Sequence, residues 1–130
     1  MEAMGRAYVP YSGYCVGAAL LTRSGKVYQG CNIENASFTP TCCAERVAFF
    51  EAVKNGERDF AAIAVVGGKG GHMTGLFPPC GVCRQVMTEF CGPDFLIHMG
   101  GPDGLIQTVT LEELLPWGFR SSEYMTDLDV

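Results

Sequence analysis

Apolar and polar positions fall into blocks along the chain, and the blocks predict eight elements in the order β-β-α-β-α-β-β-α. Met1 to Tyr8 is helix-compatible but short, and Pro10-Tyr11-Ser12-Gly13 breaks it. Val16 to Thr22 and Val27 to Ile33 are strand-length runs joined by the turn Ser24-Gly25-Lys26, which predicts a hairpin. Gly17 and Gly30 inside those runs predict close backbone approach or bulges. Glu34 to Pro40 is a polar loop. Thr41 is the expected N-cap of a helix that runs to about Asn55, where Gly56 stops it. Val47, Phe50 and Val53 recur at three-residue steps beside Ala44 and Ala48, and form its expected buried face.

Phe60 to Val66 is nearly continuous in apolar residues, as in a strand covered on both faces. Gly67 to Phe77 reads as a glycine-rich connection containing His72. A second helix is expected from Cys80 to Phe90, ended by Gly92-Pro93. Phe95 to Met99 and Leu105 to Val109 are strands around the turn Gly100 to Gly104, too short a link for a parallel crossover, so they pair antiparallel. Thr110-Leu111-Glu112-Glu113 has the form of a capping box and opens a short helix ended by Pro116. The tail from Ser121 is polar and expected to be loosely held. The expected fold is one α/β domain over residues 1–130, a three-layer α-β-α arrangement with a mixed five-stranded sheet.

Charge narrows the partner class. The net charge is −5, with nine Lys and Arg against fourteen Asp and Glu, and the basic residues are scattered. Nucleic-acid binding rests on clustered phosphate neutralisation, so a small substrate is the better expectation. The N-terminus carries no apolar signal-peptide core, and no apolar run approaches the roughly 20 residues that span a bilayer. The expectation is a cytoplasmic protein with neither a membrane nor a nucleic-acid partner.

Seven cysteines are many for this length, and an odd number excludes full pairing within one chain. In a reducing compartment, clustered cysteines point to a metal or to catalysis. Cys80 and Cys83 alone read as a redox pair or half of a structural zinc site as readily as they read as catalytic metal ligands. Cys43-Ala44-Glu45 shifts the reading, because it places a sulfur and a carboxylate two residues apart at a helix start. Helix N-termini favour thiolates. Two such termini meeting would set three sulfurs around Zn²⁺ and leave one coordination position open beside Glu45. Three thiolates outweigh the ion's charge, and Arg46 and Arg84, next to the ligands, are placed to offset the excess by hydrogen bonding to sulfur. Cys15, Cys31, Cys42 and Cys91 read as small apolar residues.

Cys43-Ala44-Glu45-Arg46 with Pro79-Cys80-Gly81-Val82-Cys83 resembles the zinc cytidine deaminases. Pro10-Tyr11-Ser12, Val16 to Leu20, Gly30 to Ala36, Arg84-Gln85-Val86 and Glu113 to Pro116 extend the likeness to the free-nucleoside enzymes, over roughly Tyr8 to Phe119. A Cys as first ligand is similar to the small homotetrameric branch. The resemblance implies one Zn²⁺ per subunit on Cys43, Cys80 and Cys83, with Glu45 moving protons while water replaces the amine of cytidine or deoxycytidine. It implies that Asn32 and Glu34 hold the ribose 3′-hydroxyl and that the Ala44 N–H meets the pyrimidine O2. It implies that Tyr14 flanks the base and that Phe119 closes the pocket of a neighbouring subunit, which makes the active sites composite. Phe38 stands where the family commonly has a Tyr that reaches an adjacent subunit's sugar. The rivals are a deaminase of a nucleoside-like antibiotic such as blasticidin S, a nucleic-acid editing enzyme and a non-enzymatic zinc-stabilised module.

Overall fold

The computed structural model describes residues 1–120, so the tail from Ser121 lies outside the described residues. Strands β1 (Tyr14–Thr22) and β2 (Val27–Cys31) form the expected antiparallel hairpin. Helix α1 (Ala44–Lys54) follows, with Asn55 as C-cap and Gly56 at φ 90°, a left-handed position that suits glycine. β3 (Phe60–Lys69) is longer than expected and turns back into β4 (His72–Gly75). Helix α2 (Gly81–Phe90), β5 (Leu96–Gly100), β6 (Ile106–Thr110) and α3 (Leu111–Leu114) complete the described chain.

The sheet has six strands where five were expected, in the order β2-β1-β3-β5-β6 with β4 paired to β3. β4 lies in the stretch that reads as an irregular connection. Lys69 pairs with His72 across Gly70 and Gly71, both at positive φ (64° and 80°), the two-residue turn that matches strand twist. β3 and β5 are parallel, and the other pairs are antiparallel, so the sheet is mixed as expected.

Register fixes which side chains share a face. Ala18, Val65 and Met99 align across β1, β3 and β5, as do Leu20, Ile63, Ile97 and Val109 across β1, β3, β5 and β6. This face packs on Ala44, Ala48, Phe49 and Ala52 of α1, on Cys83 and Met87 of α2 and on Leu111 of α3. Phe49 is fully buried and centres an aromatic group with Phe60, Phe90 and Phe95 at 5.2–6.1 Å. Phe50, expected in the core, is 51% exposed. The buried stripe is carried by alanines beside Phe49, one position away from the larger residues that the spacing selects. On the opposite face the helical layer among the described residues is the 3-10 turn Ala3–Arg6, which covers Gly17. The helix-compatible start is thus one short turn, and Tyr8 is extended in a parallel bridge with Ile33. Beyond that turn Ala64 of β3 is exposed, so this strand is not covered along both faces.

The capping box forms as predicted: Glu113 N–H donates to Thr110 Oγ1 (3.2 Å) and Thr110 N–H to Glu113 Oε1 (3.0 Å). Among the described residues no helix is long and apolar enough to cross a membrane.

Candidate active site

The N-termini of α1 and α2 bring the three sulfurs together. Cys43 is the N-cap of α1 and Cys80 the N-cap of α2, each with extended backbone and with no side-chain capping bond. Thr41, the expected cap of α1, lies two residues earlier and accepts Asn35 N–H with its hydroxyl (3.1 Å). Cys83 follows one turn into α2 and is buried.

Cys43 Sγ lies 3.6 Å from Cys80 Sγ, and Cys80 Sγ lies 3.6 Å from Cys83 Sγ. All three sulfurs fall within 4.8 Å of one another. Ligands at about 2.3 Å in tetrahedral geometry stand about 3.8 Å apart, so the trio has the spacing of a zinc site with three thiolates. No fourth Cys, His, Asp or Glu joins this cluster among the described residues. The donor set therefore fits one Zn²⁺ per subunit with a position open to substrate or water.

Glu45, in the first turn of α1, is 4% exposed. Burial pushes its carboxyl pKa up, the nearby Cys43 adds to that, and a hydrogen bond with Cys83 opposes it. The Cys43 thiol is lowered to about 5, by hydrogen bonding with Cys83 and then by Arg46. Cys83 is pushed up because it donates to Cys43 and is buried.

The two arginines part company. Arg46 Nη2 donates to Cys43 Sγ and to the Thr41 carbonyl, both at 3.4 Å. The same sulfur holds Arg46 in its charged form, which keeps positive charge beside the thiolates, and Arg46 Nε is buried with no hydrogen-bond partner among the described residues. Arg84, expected at the sulfurs as well, donates to Pro79 O (2.7 Å) and Leu114 O (2.6 Å), tying α2 to α3.

Val16, Asn32, Cys43, Ala44, Glu45 and Phe77 face one cavity of about 190 Å³ that also reaches Cys80. Asn32 brackets β1, accepting Val16 N–H with Oδ1 and donating from Nδ2 to Tyr14 O, both at 2.9 Å. Tyr14 tilts against Phe77 at 6.2 Å, and the Lys69 ammonium stands 5.0 Å from the Tyr14 ring centroid. Glu34 and Phe38 line an adjacent open cavity with Tyr11, Ser12 and Thr41. Ser12 lowers the Glu34 pKa by donating its hydroxyl hydrogen bond. Phe38 has φ 60°, is 71% exposed and meets Tyr11 edge-on at 6.2 Å. Phe119 lies apart from this cavity, against α2, where its carbonyl accepts Gln85 Nε2 (2.9 Å), and it is 59% exposed.

Phe77 is the site residue that the sequence reading passes over. Its signal is an aromatic directly before Pro78-Pro79-Cys80, with Gly67 opposite, where a Cβ would stand 2.7 Å from the Phe77 ring.

Three thiols at zinc spacing and a buried carboxyl beside them, on two helix starts over a mixed sheet, define a zinc hydrolase of the deaminase kind. The family model described as "Cytidine and deoxycytidylate deaminase zinc-binding region" matches residues 1–99, and the chain belongs to that family. A cytidine deaminase of Halalkalibacterium halodurans is 50% identical over 123 residues, 95% of this chain and 90% of the relative. The crystal structure of cytidine deaminase from Burkholderia pseudomallei superposes with a TM-score of 0.83 at 46% identity, covering 91% of each chain. A blasticidin-S deaminase of Bacillus cereus is more distant, 36% identical over 78% of this chain and 74% of the relative.

Proposed function

We propose that the protein hydrolyses free cytidine and 2′-deoxycytidine to uridine and 2′-deoxyuridine with release of ammonia. The observation that carries this reading is the buried Glu45 beside three sulfurs at zinc spacing, in one cavity with Asn32 and Phe77. Cys43, Cys80 and Cys83 hold the metal, which when bound supplies a water of lowered pKa and an electrophilic centre.

The protein's own groups do the rest. Glu45, its carboxyl pKa raised by burial, takes a proton from water and delivers it to the pyrimidine N3, then takes the proton of the hydroxyl added at C4 and delivers that to the departing amine, which leaves as ammonia. The Ala44 N–H, in the first turn of α1 where backbone donors are free, meets the pyrimidine O2. Tyr14 and Phe77 wall the base, and Asn32 and Glu34 take the sugar's 3′-hydroxyl. Arg46 offsets the thiolates' surplus charge.

The half-exposed or more exposed rings of Phe38 and Phe119 support a homotetramer in which Phe119 reaches a neighbouring subunit's pocket. We propose a role in pyrimidine salvage in the cytoplasm, a reading that a free-nucleoside substrate supports. The experiment is ammonia release from cytidine by the zinc-loaded protein, with blasticidin S run in parallel. Turnover of blasticidin S alone would transfer the assignment to the antibiotic.

A further inference from the structure

A single hydroxyl joins two parts of this site. Tyr14 N–H donates to Ser12 Oγ at 3.0 Å, and Ser12 Oγ donates to Glu34 Oε2 at 2.5 Å. The direction is fixed, because a backbone N–H can only donate and the hydroxyl has one proton to pass on. Glu34 Oε1 accepts Tyr11 N–H (3.0 Å) and Ser12 N–H (3.1 Å). A carboxylate has about four acceptor positions. Three are filled from residues 11 and 12, which leaves one on Oε2, in a cavity of about 440 Å³ open to solvent. That remainder suits one hydroxyl donor.

The other end of the relay is held as firmly. Tyr14 gives its N–H to Ser12 and its carbonyl to Asn32 Nδ2, so side chains of the site grip both polar groups of its backbone. Its ring leans on Phe77, which lines the cavity of the three sulfurs. The carboxylate and the aromatic wall are therefore spaced by one side chain and not by the loop's own stiffness.

We propose that Ser12 is the positioning residue of the sugar subsite: its hydroxyl leaves Glu34 one acceptor position for the nucleoside 3′-hydroxyl and sets that position relative to Tyr14. This rests on the reading of the site as a nucleoside deaminase. A merely structural serine would weaken all substrates alike. A positioning serine matters when there is a 3′-hydroxyl to place.

The test is steady-state kinetics of the zinc-loaded full chain, wild type, Ser12→Ala and Ser12→Thr, on cytidine and 3′-deoxycytidine, with zinc content and Tm measured for each. Where 3′-deoxycytidine turns over too slowly to read, its inhibition constant serves. Ser12→Ala is expected to raise KM for cytidine about fivefold to tenfold with kcat held within about twofold, from loss of a charge-assisted hydrogen bond at an exposed site. The same change should move the 3′-deoxycytidine value by less than about twofold, and Ser12→Thr should recover most of the loss. Equal losses on both substrates, or no loss on cytidine, overturn the proposal. A wild-type protein that releases no ammonia from cytidine overturns instead the functional reading beneath it.

Discussion

Gly30 of β2 lies directly beneath Ala44 of α1, so close that a Cβ on Gly30 would run into the Ala44 carbonyl oxygen and stand 2.5 Å from Ala48 N. Backbone packs on backbone here, and the result is that the first turn of α1, with Cys43 and Glu45, is seated against the sheet. Gly30→Ala is expected to lift that turn, costing about 3 kcal/mol, the upper end for overpacking, and lowering zinc content with it. Gly81, at the start of α2, has open space around its missing Cβ, and Gly81→Ala should leave both quantities near wild type. Thermal melts with metal analysis check the pair, and equal outcomes would remove the close approach from the account.

Glu45→Gln separates chemistry from architecture. Turnover should fall by about 10²–10⁴-fold while zinc is retained, if Glu45 is the proton carrier proposed above and the three sulfurs are the ligands. Stability should move the other way. Burial raises the Glu45 pKa, so ionising it opposes folding: the cost is absent below the ordinary carboxylate value and grows as pH rises from there through the raised value. Near neutral pH the Gln variant should therefore melt no lower than wild type, and at acid pH the two should converge. A clear drop in Tm at neutral pH would contradict this.

Metal loading should depend on three sulfurs and on protons. Cys80→Ala or Cys83→Ala should lose zinc, whereas Cys42→Ala, next in sequence to a ligand and outside the cluster, should keep it. Binding requires thiolates, and Cys83 holds its proton well above the usual thiol range while Cys43 ionises at about 5. Zinc occupancy should consequently fall as pH is lowered, with protons taken up as the metal leaves. Metal analysis after equilibration at stepped pH reads this, and pH-independent occupancy would refute it.

The two arginines should separate by phenotype. Arg46→Gln removes the donor to Cys43 Sγ and is expected to lower kcat about tenfold with a small change in Tm. Arg84→Gln breaks hydrogen bonds to Pro79 O and Leu114 O and should cost about 1–2 kcal/mol of stability with kcat little affected. Swapped phenotypes would place Arg84 at the metal after all.

The sequence made most of this plain where a residue's type left few alternatives. The hairpin, the capping box at Thr110 and Glu113, and the convergence of Cys43, Cys80 and Cys83 all appear as expected. What the sequence hid has physical causes. The buried face of α1 is built from Ala44, Ala48 and Ala52 so that it can approach Gly30, and small residues weigh little in an apolar count that Phe50 can tip. β4 was masked because its tight turn and the close pass of Gly68 under His72 both demand glycine, so the segment looks like a linker. The Leu114 partner of Arg84 was out of reach, since it is 30 residues away in sequence.

Of seven cysteines, Cys80 alone is exposed. A thiol-alkylating dye added to the stripped protein should therefore meet the site sulfurs first, Cys80 through its exposure and Cys43 through its readiness to ionise, and bound metal should shield both. The rate of labelling then becomes a gauge of occupancy, readable without any substrate.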